Sequence, residues 1–507
     1  MRNGSISFLT IIRNQTLLAV WLSSRGTRRL HNIGKITLGT VPTEACIDSG
    51  AGLAEWWPIG RDDYNASMSQ SPTKFSQRRR WAADQAISFL MQQGVEHPHV
   101  VSLAAGLVDP ASLPVAEAIE AARAVLSDDL RARSALQYGT TLGDLRLRQQ
   151  LADYHKRLEQ TSTPENKHDA PASGAIRSVT ADEIVCTTGS QQLLALLADA
   201  LLDPGDICLV AAPTYFVFLG VLEGVGARAI ALPADEHGMQ MDALTAELQR
   251  LESVGELSRI KLIYVVSEFE NPTGISLSLE RRAELVAIAK HWSQRRGERI
   301  YILEDAAYRE LHYDAPAPPS VWSFDVDGDT VIHAGTFSKS FSPGLRVGFG
   351  LMPRELREAI NDLKGNQDFG SANFNQHLLA ELLASRRFAI HAEEVRAAYR
   401  IKRDAMLSAA DEFFSEMPGV SWVHPHGGLY VWMSLPPHVA TGFDSPLFRQ
   451  AVDVEQVMYV PGELCFGGPR ERRQRHHMRL SFGVQSPNGI REGIRRLSRA
   501  VRAILDE

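Results

Sequence analysis

Short apolar segments alternate with amphipathic stretches through the middle of the chain. The apolar segments are rich in β-branched residues and hold few polar ones; they span residues 184–186, 207–211, 229–232, 262–266, 300–303 and 331–334. Between them, apolar positions recur at helical spacing at 191–202, 241–252 and 279–295. Strands without a polar face are typical of sheets that helices cover on both sides. The pattern therefore predicts an α/β domain with a largely parallel sheet.

The two ends of the chain follow other patterns. An amphipathic stretch at 81–93 precedes a Gly- and Pro-rich segment, and a long helix at 389–414 precedes Gly-rich strands and a last helix at 488–504. These later elements predict a second, smaller α+β domain. We expect an extension at 1–67, an N-terminal arm with part of the small domain at 68–130, a large domain at 131–385, and the small domain at 386–507. The segment 161–178 is predicted to be a surface insertion.

Residues 1–67 differ in composition from the rest of the chain. Before Glu44 the only charged residues are basic. A transit peptide, a disordered tail and sequence upstream of a start at Met68 all fit this composition, and we favour the last two. Peptides from this segment in the native protein would exclude the upstream-start interpretation.

Composition narrows the range of partners and compartments. The 507 residues carry 53 basic and 60 acidic side chains, a net charge of -7, so no basic surface for nucleic acid or a membrane is indicated. No apolar run is long enough to span a bilayer. The four cysteines are far apart in sequence, which favours reduced thiols in the cytoplasm over disulfides or a zinc site. We expect small-molecule partners, and no metal, since the histidines lack ligands at suitable spacing.

The strongest chemical signal is a lysine among small and hydroxyl residues, in the segment 335–350 that follows a predicted buried strand. Lys339 there is a candidate imine-forming amine, because desolvation lowers the pKa of an amine. Ser338 and Arg346 lie close in sequence and are suited to holding a phosphate. Taken alone, Lys339 also fits an exposed loop lysine.

A second signal lies in the segment 301–308, an apolar strand that ends in acidic residues and a tyrosine. Strand carboxyl ends are where open α/β sheets bind ligands. Asp305 is suited to keep a pyridine nitrogen protonated, and Tyr308 to donate to a phenolic oxygen on the same ring. A helix N-cap is the alternative role for Asp305.

Three shorter motifs are weak singly. Asn271 lies in an Asn-Pro-Thr-Gly turn. Gly189, Ser190 and Gln191 stand where a strand meets a helix, a place that binds phosphate or merely caps the helix. Arg479 lies on a late apolar strand, where it is either exposed or clamps a carboxylate.

Taken in chain order, these motifs resemble the class I/II aminotransferase family of pyridoxal 5'-phosphate (PLP) enzymes. The resemblance runs from about residue 81 to the C-terminus. It is nearest to the subgroup of 2-aminoadipate and kynurenine aminotransferases. It implies a PLP-dependent transferase fold, with a large, mostly parallel seven-stranded sheet and a smaller α+β C-terminal domain.

The resemblance also implies a role for each residue. Lys339 carries the cofactor as a Schiff base and then moves the proton, while Asp305 pairs with the pyridinium nitrogen. Asn271 and Tyr308 bind the phenolic oxygen. The ring of Tyr215 is implied to lie over the cofactor. The substrate site is implied to contain Arg479, Asn271 and Gly106, which lies in the loop that covers the substrate. The phosphate is implied to be bound by Gly189, Ser190, Gln191, Ser338 and Arg346.

Tyr138 resembles the tyrosine that reaches the phosphate of a neighbouring subunit, which implies a homodimer with a shared active site. The implied reaction is ping-pong transfer of an amino group from an α-amino acid to a 2-oxo acid. One departure is Glu268-Phe269-Glu270 before Asn271, which leaves substrate preference open. The alternatives are a PLP-dependent lyase or another PLP enzyme on this fold, and a non-catalytic effector-sensing domain.

Overall fold

The computed structural model describes residues 12–13, 16–17, 74–82, 90, 99–162 and 177–506. The chain divides into two units, Met1–Ala51 and Gly52–Glu507. In the first unit, strand β1 (Ile12–Arg13) pairs antiparallel with β2 (Thr16–Leu17). The rest of the predicted 1–67 extension lies outside the described residues, and so does most of the predicted insertion at 161–178.

The second unit holds all the elements that follow. Its N-terminal part contains α1 (Gln77–Trp81), β3 (Val101–Ser102), α2 (Val115–Leu126), α3 (Asp129–Leu136) and α4 (Leu145–Ser162). The central part contains β4 (Ile184–Thr187), α5 (Ser190–Leu201), β5 (Ile207–Ala212), α6 (Phe216–Val225), β6 (Arg228–Asp235), β7 (Gly238–Met239), α7 (Met241–Ser253), β8 (Ile260–Val266), α8 (Leu279–Arg296), β9 (Tyr301–Asp305), β10 (Val331–Thr336), β11 (Gly348–Leu351), α9 (Arg354–Asp368) and α10 (Asn373–Ala384).

The large sheet has eight strands in the order β4-β11-β10-β9-β8-β5-β6-β7. Strands β10, β9, β8, β5 and β6 are parallel neighbours, while β11 runs antiparallel between β10 and β4. The six apolar segments predicted from sequence are therefore the strands that run in one direction. The α/β prediction is confirmed. Strand β11 was not predicted because its glycines interrupt the apolar pattern of a strand. The two-residue β7 adds an edge strand to the expected seven.

Helices cover both faces of this sheet because its strands are apolar on both faces. Along β8, Leu262, Tyr264 and Val266 join one hydrophobic cluster, whereas Ile263 and Val265 join the other. Burying one such aliphatic side chain contributes about 1.5–3 kcal/mol. Two such clusters, one on each face, fix the sheet as the middle layer of the domain.

The C-terminal part builds a smaller sheet and two long helices. It contains α11 (Arg387–Phe414), β12 (Ser421–Trp422), β13 (Tyr430–Ser434), α12 (Pro446–Arg449), β14 (Val457–Met458), β15 (Val460–Pro461), β16 (His477–Ser481) and α13 (Pro487–Leu505). The antiparallel sheet has the order β12-β13-β16-β15, and β14 pairs with β3 near the N-terminus. The predicted α+β character is confirmed, and the domain boundaries stay predictions.

Most of the predicted amphipathic stretch at 81–93 lies outside the described residues. Helix α1 begins at Gln77, where Ser76 caps it, and ends at Trp81. The Trp81 ring covers Gly226, at which a Cβ atom would lie 2.7 Å from the ring. Most of 83–98 lies outside the described residues. In the described part of the chain, no helix combines the length and the apolar character needed to cross a membrane.

Candidate active site

The predicted site residues converge at one edge of the large sheet. Asp305 ends β9, Ser338 and Lys339 follow β10, Asn271 follows β8, and Gly189 follows β4. These four strands run parallel, so their carboxyl ends share an edge, where open α/β sheets bind ligands. Sequence motifs that are about 150 residues apart thus form one site.

Lys339 presents its amine to the loop that the sequence predicted as a substrate cover. Its Nζ donates to the carbonyl oxygen of Gly106 at 2.6 Å, and the side chain is half-buried. Among the described residues no carboxylate forms an ion pair with it. The amine is therefore held by a neutral acceptor and stays available to a ligand.

Asp305 is a buried carboxylate with few partners. Its side chain accepts from Tyr264 Oη at 3.0 Å and from the backbone N–H of Ala307 at 3.2 Å, and the residue is 4% exposed. Burial raises the pKa of the Asp305 carboxyl to about 6, although both donors favour the ionised form. No lysine or arginine of the described residues forms an ion pair with it. A buried carboxylate of this kind accommodates a cationic donor from a ligand.

Arg479 is the counterpart of Asp305 in the site, a buried basic side chain with which no carboxylate of the described residues forms an ion pair. Its two terminal nitrogens donate to Asn271 Oδ1 and to the carbonyl oxygen of Ala104, both at 2.8 Å, while its buried Nε has no partner in the part of the chain that the structure describes. The guanidinium packs on the rings of Phe216 and Tyr430, at 5.7 Å and 4.3 Å from their centroids. Aromatic faces stabilise the charge without neutralising it, so an anionic ligand is still favoured here.

Tyr308 and Asn271 are joined by hydrogen bonds in the same part of the site. Asn271 Nδ2 donates to Tyr308 Oη at 3.4 Å, and a further 3.2 Å separates Tyr308 Oη from Tyr430 Oη. Tyr215 lies near this group. Burial raises the pKa of its hydroxyl, and the nearby charge of Asp305 raises that pKa further. The predicted ring-binding residues are thus brought together.

The predicted phosphate site lies where β4 meets α5. Gly189 caps the helix with φ of 72°, and Ser190 and Gln191 form its first turn, whose N–H groups lack intrahelical partners. A Cβ atom on Gly189 would lie 2.8 Å from a terminal nitrogen of Arg346. Glycine therefore lets the arginine approach the helix N-terminus, which concentrates positive potential there.

Arg346 and Ser338 complete that region. The Arg346 guanidinium donates to the carbonyl oxygens of Thr188 at 3.3 Å and Pro343 at 3.4 Å. Ser338 Oγ lies 3.0 Å from Thr336 Oγ1. Among the described residues Arg346 has no carboxylate partner, and a phosphate would supply one.

Tyr138 is the predicted residue that stands apart. It is 82% exposed and packs edge-on against Phe369, with 5.8 Å between ring centroids. No contact joins it to the site of its own chain among the described residues. Its predicted role in a second subunit is compatible with this position.

Sequence reasoning missed Tyr264, Phe216 and Tyr430. Tyr264 looks like one more apolar residue of β8, and only the register of β8 beside β9 brings its hydroxyl to Asp305. Tyr430 begins β13, which pairs with the strand that carries Arg479. A prediction of that antiparallel pairing would have been the one available signal for Tyr430.

The acidic residues at Glu268–Glu270, where the sequence departs from the pattern of its subgroup, have a partly structural role. Glu268 is fully buried and accepts from Arg282 at 2.8 Å, so its charge is neutralised inside the protein. Glu270 is buried beside Thr273, and burial raises the pKa of its carboxyl to about 8. Neither carboxylate is an open anion at the mouth of the site.

Comparison with known proteins agrees with this geometry. The model of the family "Aminotransferase class I and II" matches residues 98–497. The chain belongs to the class I and II aminotransferase family. The transaminase prediction and the α/β transferase fold are thereby confirmed.

Relatives resemble this aminotransferase over most of its length. It is 33% identical over 408 residues to an aromatic-amino-acid aminotransferase of Thermococcus litoralis, covering 80% of this chain and 89% of the relative. It is 34% identical over 415 residues to a 2-aminoadipate transaminase of Thermus thermophilus, covering 81% and 92%. The solved kynurenine aminotransferase of Pyrococcus horikoshii, in complex with PMP, matches with a TM-score of 0.74 and 30% identity, over 85% of this chain and 97% of that one. The suspected subgroup is therefore confirmed.

Enzymes of this family use PLP, which confirms the predicted cofactor. The described residues fit it. Asp305 lacks a cation, Arg346 lacks an anion, and Gly189 leaves open backbone N–H groups beside that arginine. These correspond to the ring nitrogen and the phosphate of the cofactor, and the roles of the individual residues stay predictions.

Proposed function

We propose that the chain is a PLP-dependent aminotransferase that works by a ping-pong mechanism from Lys339. The observation that carries this proposal is a set of ionisable groups at one sheet edge that form no ion pair with any other described residue: the Lys339 amine, the buried Asp305 carboxylate and the buried Arg479 guanidinium. When bound, the cofactor supplies an aldehyde carbon that amines attack and a ring that withdraws electrons from the substrate α-carbon.

The protein's own residues divide the remaining work. Lys339 Nζ would hold the cofactor covalently, and as a free amine it would move the proton at the substrate α-carbon. Asp305 would hold the ring nitrogen in its protonated form, because a charged pair is far more stable in this buried place than an isolated carboxylate. Arg479 orients the substrate through its α-carboxylate.

Positioning follows from the same contacts. Asn271 and Tyr308 bind the phenolic oxygen, and the first turn of α5 with Ser338 and Arg346 binds the phosphate. Tyr215 packs over the ring. The loop that contains Gly106 covers the substrate and excludes water, since its carbonyl already lies against the Lys339 amine.

The amino donor is an α-amino acid and the acceptor a 2-oxo acid. Names of relatives suggest aromatic amino acids, kynurenine and 2-aminoadipate as the first donors to test. We propose the cytoplasm as the compartment, with support from the buried, unpaired thiols of Cys186, Cys208 and Cys465.

A single half-reaction tests the chemistry. Protein loaded with PLP and given one donor, without any acceptor, is expected to convert the bound cofactor to its amine form in one stoichiometric step. The Lys339→Ala variant is the control and should fail to complete this step. A donor screen in which no amino acid changes the cofactor absorbance, with PLP bound, would contradict the proposal.

The enzyme is proposed to be a homodimer with shared active sites. Exposed apolar side chains support this, and they gather on α2, α3 and the neighbouring loops: Val115, Ile119, Leu130, Leu136, Tyr138 and Phe369. Exposed apolar patches mark association surfaces. Tyr138 of one subunit then reaches the phosphate of the other.

Mixing two inactive variants tests the shared site. Lys339→Ala and Tyr138→Ala each damage every site of their own homodimer. Subunit exchange produces hybrid dimers in which one site has both Lys339 and Tyr138, so activity should return on mixing. A mixture that stays as inactive as its components would exclude the sharing of Tyr138.

A further inference from the structure

Tyr430 is a buried aromatic residue in the site to which no role has yet been assigned. It is 1% exposed and begins β13, next to the strand that carries Arg479. A Cβ atom on Gly106 would lie 2.7 Å from Tyr430 Oη, so the covering loop passes directly over this hydroxyl. The hydroxyl therefore lies between the loop, the Lys339 amine and Tyr308, where solvent does not compete for it.

The direction of the hydrogen bonds around Tyr308 follows from Arg479. A guanidinium only donates, so the oxygen of Asn271 must face Arg479, at 2.8 Å. The amide nitrogen of Asn271 then faces Tyr308 Oη, at 3.4 Å. Tyr308 accepts this bond, and its own proton stays free to point elsewhere.

The contact between Tyr308 and Tyr430 decides where that proton points. The two oxygens are 3.2 Å apart, and on geometry alone either can donate. Burial raises the pKa of Tyr308 strongly. Burial acts on Tyr430 too, but Arg479 and Lys339 outweigh it and lower the pKa of Tyr430. In the proposed function Tyr308 gives its one proton to the phenolic oxygen, so the 3.2 Å contact requires the proton of Tyr430, and the lowered pKa of Tyr430 agrees with this direction.

We propose that Tyr430 is a positioning residue for transamination: it donates to Tyr308 and leaves the Tyr308 proton for the phenolic oxygen of the cofactor. A phenol oxygen accepts two hydrogen bonds and donates one. With Asn271 and Tyr430 as its donors, Tyr308 has a single direction left for its proton. This inference rests on the proposed function of the site.

Other titratable groups face Tyr430 and influence how its hydroxyl responds to pH. They are Arg479, Lys339, Tyr308, Tyr215, Tyr399 and Cys465. Arg479 and Lys339 are the basic groups among them, and the rest are hydroxyl or thiol groups. The substitution Tyr430→Phe removes the hydroxyl and keeps the ring over Arg479, which makes it the suitable variant.

The test is a pH titration of the absorbance of the bound cofactor, without substrate. A donor to the phenolic oxygen stabilises its anion and so lowers the apparent pKa of the covalently bound cofactor. Tyr430→Phe should raise that pKa by about 0.4–1 unit, the equivalent of one net hydrogen bond. It should also lower kcat by about 2–10-fold, with little change in KM.

A double-mutant cycle separates positioning from packing. In a Tyr308→Phe background, Tyr430→Phe should cause no further shift, because the residue through which it acts is gone. The matched control is Tyr459→Phe, which removes another buried hydroxyl, bonded to the carbonyl oxygen of Thr441 at 3.1 Å, and should leave the titration unchanged.

The outcomes separate this inference from the proposed function. A normal wild-type titration with an unshifted Tyr430→Phe variant overturns the inference alone, as does a shift that persists in the Tyr308→Phe background. A wild-type protein whose bound cofactor does not change its absorbance with any amino donor overturns the proposed function and the inference with it.

Discussion

Glu304 and Asp305 are neighbours on β9, face opposite sides of the sheet, and have opposite electrostatic surroundings. The Glu304 carboxylate accepts from His333 Nδ1 at 2.9 Å and from the backbone N–H groups of Val321 at 2.7 Å and Trp322 at 3.1 Å. Burial would raise the pKa of Glu304, but His333 and nearby arginines outweigh it and lower the pKa. For Asp305 burial prevails and the pKa rises.

The two buried arginines show the same contrast. All three side-chain nitrogens of Arg282 are bonded, to Leu277, Glu268, Pro319 and Ser267. Within the described ranges, the Nε of Arg479 has no hydrogen-bond partner, and no carboxylate pairs with its guanidinium. On the side of Glu304 the chain satisfies its own charges, and on the side of Asp305 it leaves them for a ligand. Unpaired buried charge thus distinguishes the site from the core.

Glu304→Gln should destabilise the protein most. Removing this carboxylate leaves buried donors without a charged acceptor, so we expect the free energy of unfolding to fall by about 3–5 kcal/mol. Denaturant unfolding of cofactor-free protein measures it. Glu298→Gln, in an exposed ion pair with Lys261, is the control and should cost under about 1 kcal/mol. Equal small effects would remove the contrast between core and site charges.

Asp305→Asn should have the opposite pattern of effects and lower activity but not stability. The site charge contributes to turnover and not to folding, so kcat/KM should fall by about 10²–10³-fold. The free energy of unfolding of cofactor-free protein should stay unchanged or rise, because an isolated buried carboxylate is removed. A loss of stability as large as that of Glu304→Gln would show that Asp305 is also a core residue.

The stability of the cofactor-free protein should depend on pH through Asp305. Its pKa is about 6 when folded and 3.8 in the reference state, so the folded chain binds more protons between these values. Stability is then greatest below about pH 4 for this group and is lost as the pH rises through 6, by up to about 3 kcal/mol. The difference between wild type and Asp305→Asn isolates this effect from that of Glu270. A pH-independent difference would contradict it.

Arg479→Lys should weaken substrate binding. A lysine keeps the charge and loses the two-pronged contact with a carboxylate, so KM for the donor should rise by about 10–100-fold. The exposed Arg475, paired with Glu463, provides the control substitution Arg475→Lys. Steady-state kinetics with one donor compare the two, and equal KM values would exclude Arg479 as the carboxylate site.

Tyr264→Phe should have the mildest effect. It removes one donor to Asp305 and leaves its ring packed against Phe218. We expect a loss of about 1 kcal/mol in transition-state stabilisation, roughly 5-fold in kcat/KM. No change in kcat/KM would mean that the backbone of Ala307 alone holds Asp305.

Elements with a strong local pattern were predictable from the sequence. Six apolar segments became parallel strands, and the motifs that follow them, such as Asp305 and Lys339, meet because parallel strands end at one edge. Contacts that depend on pairing between distant strands were not predictable. Tyr264 and Tyr430 look like ordinary core residues until the register places their hydroxyls beside Asp305 and Tyr308.

Reduction of the holoenzyme with borohydride, followed by peptide mass spectrometry, tests most directly whether these unpaired charges form a cofactor site. Reduction makes the bond between an amine and the cofactor permanent. The expected result is a single modified peptide with the phosphopyridoxyl group on Lys339. A group on any other lysine, or none in a protein that turns over amino donors, would contradict the assignment of this site.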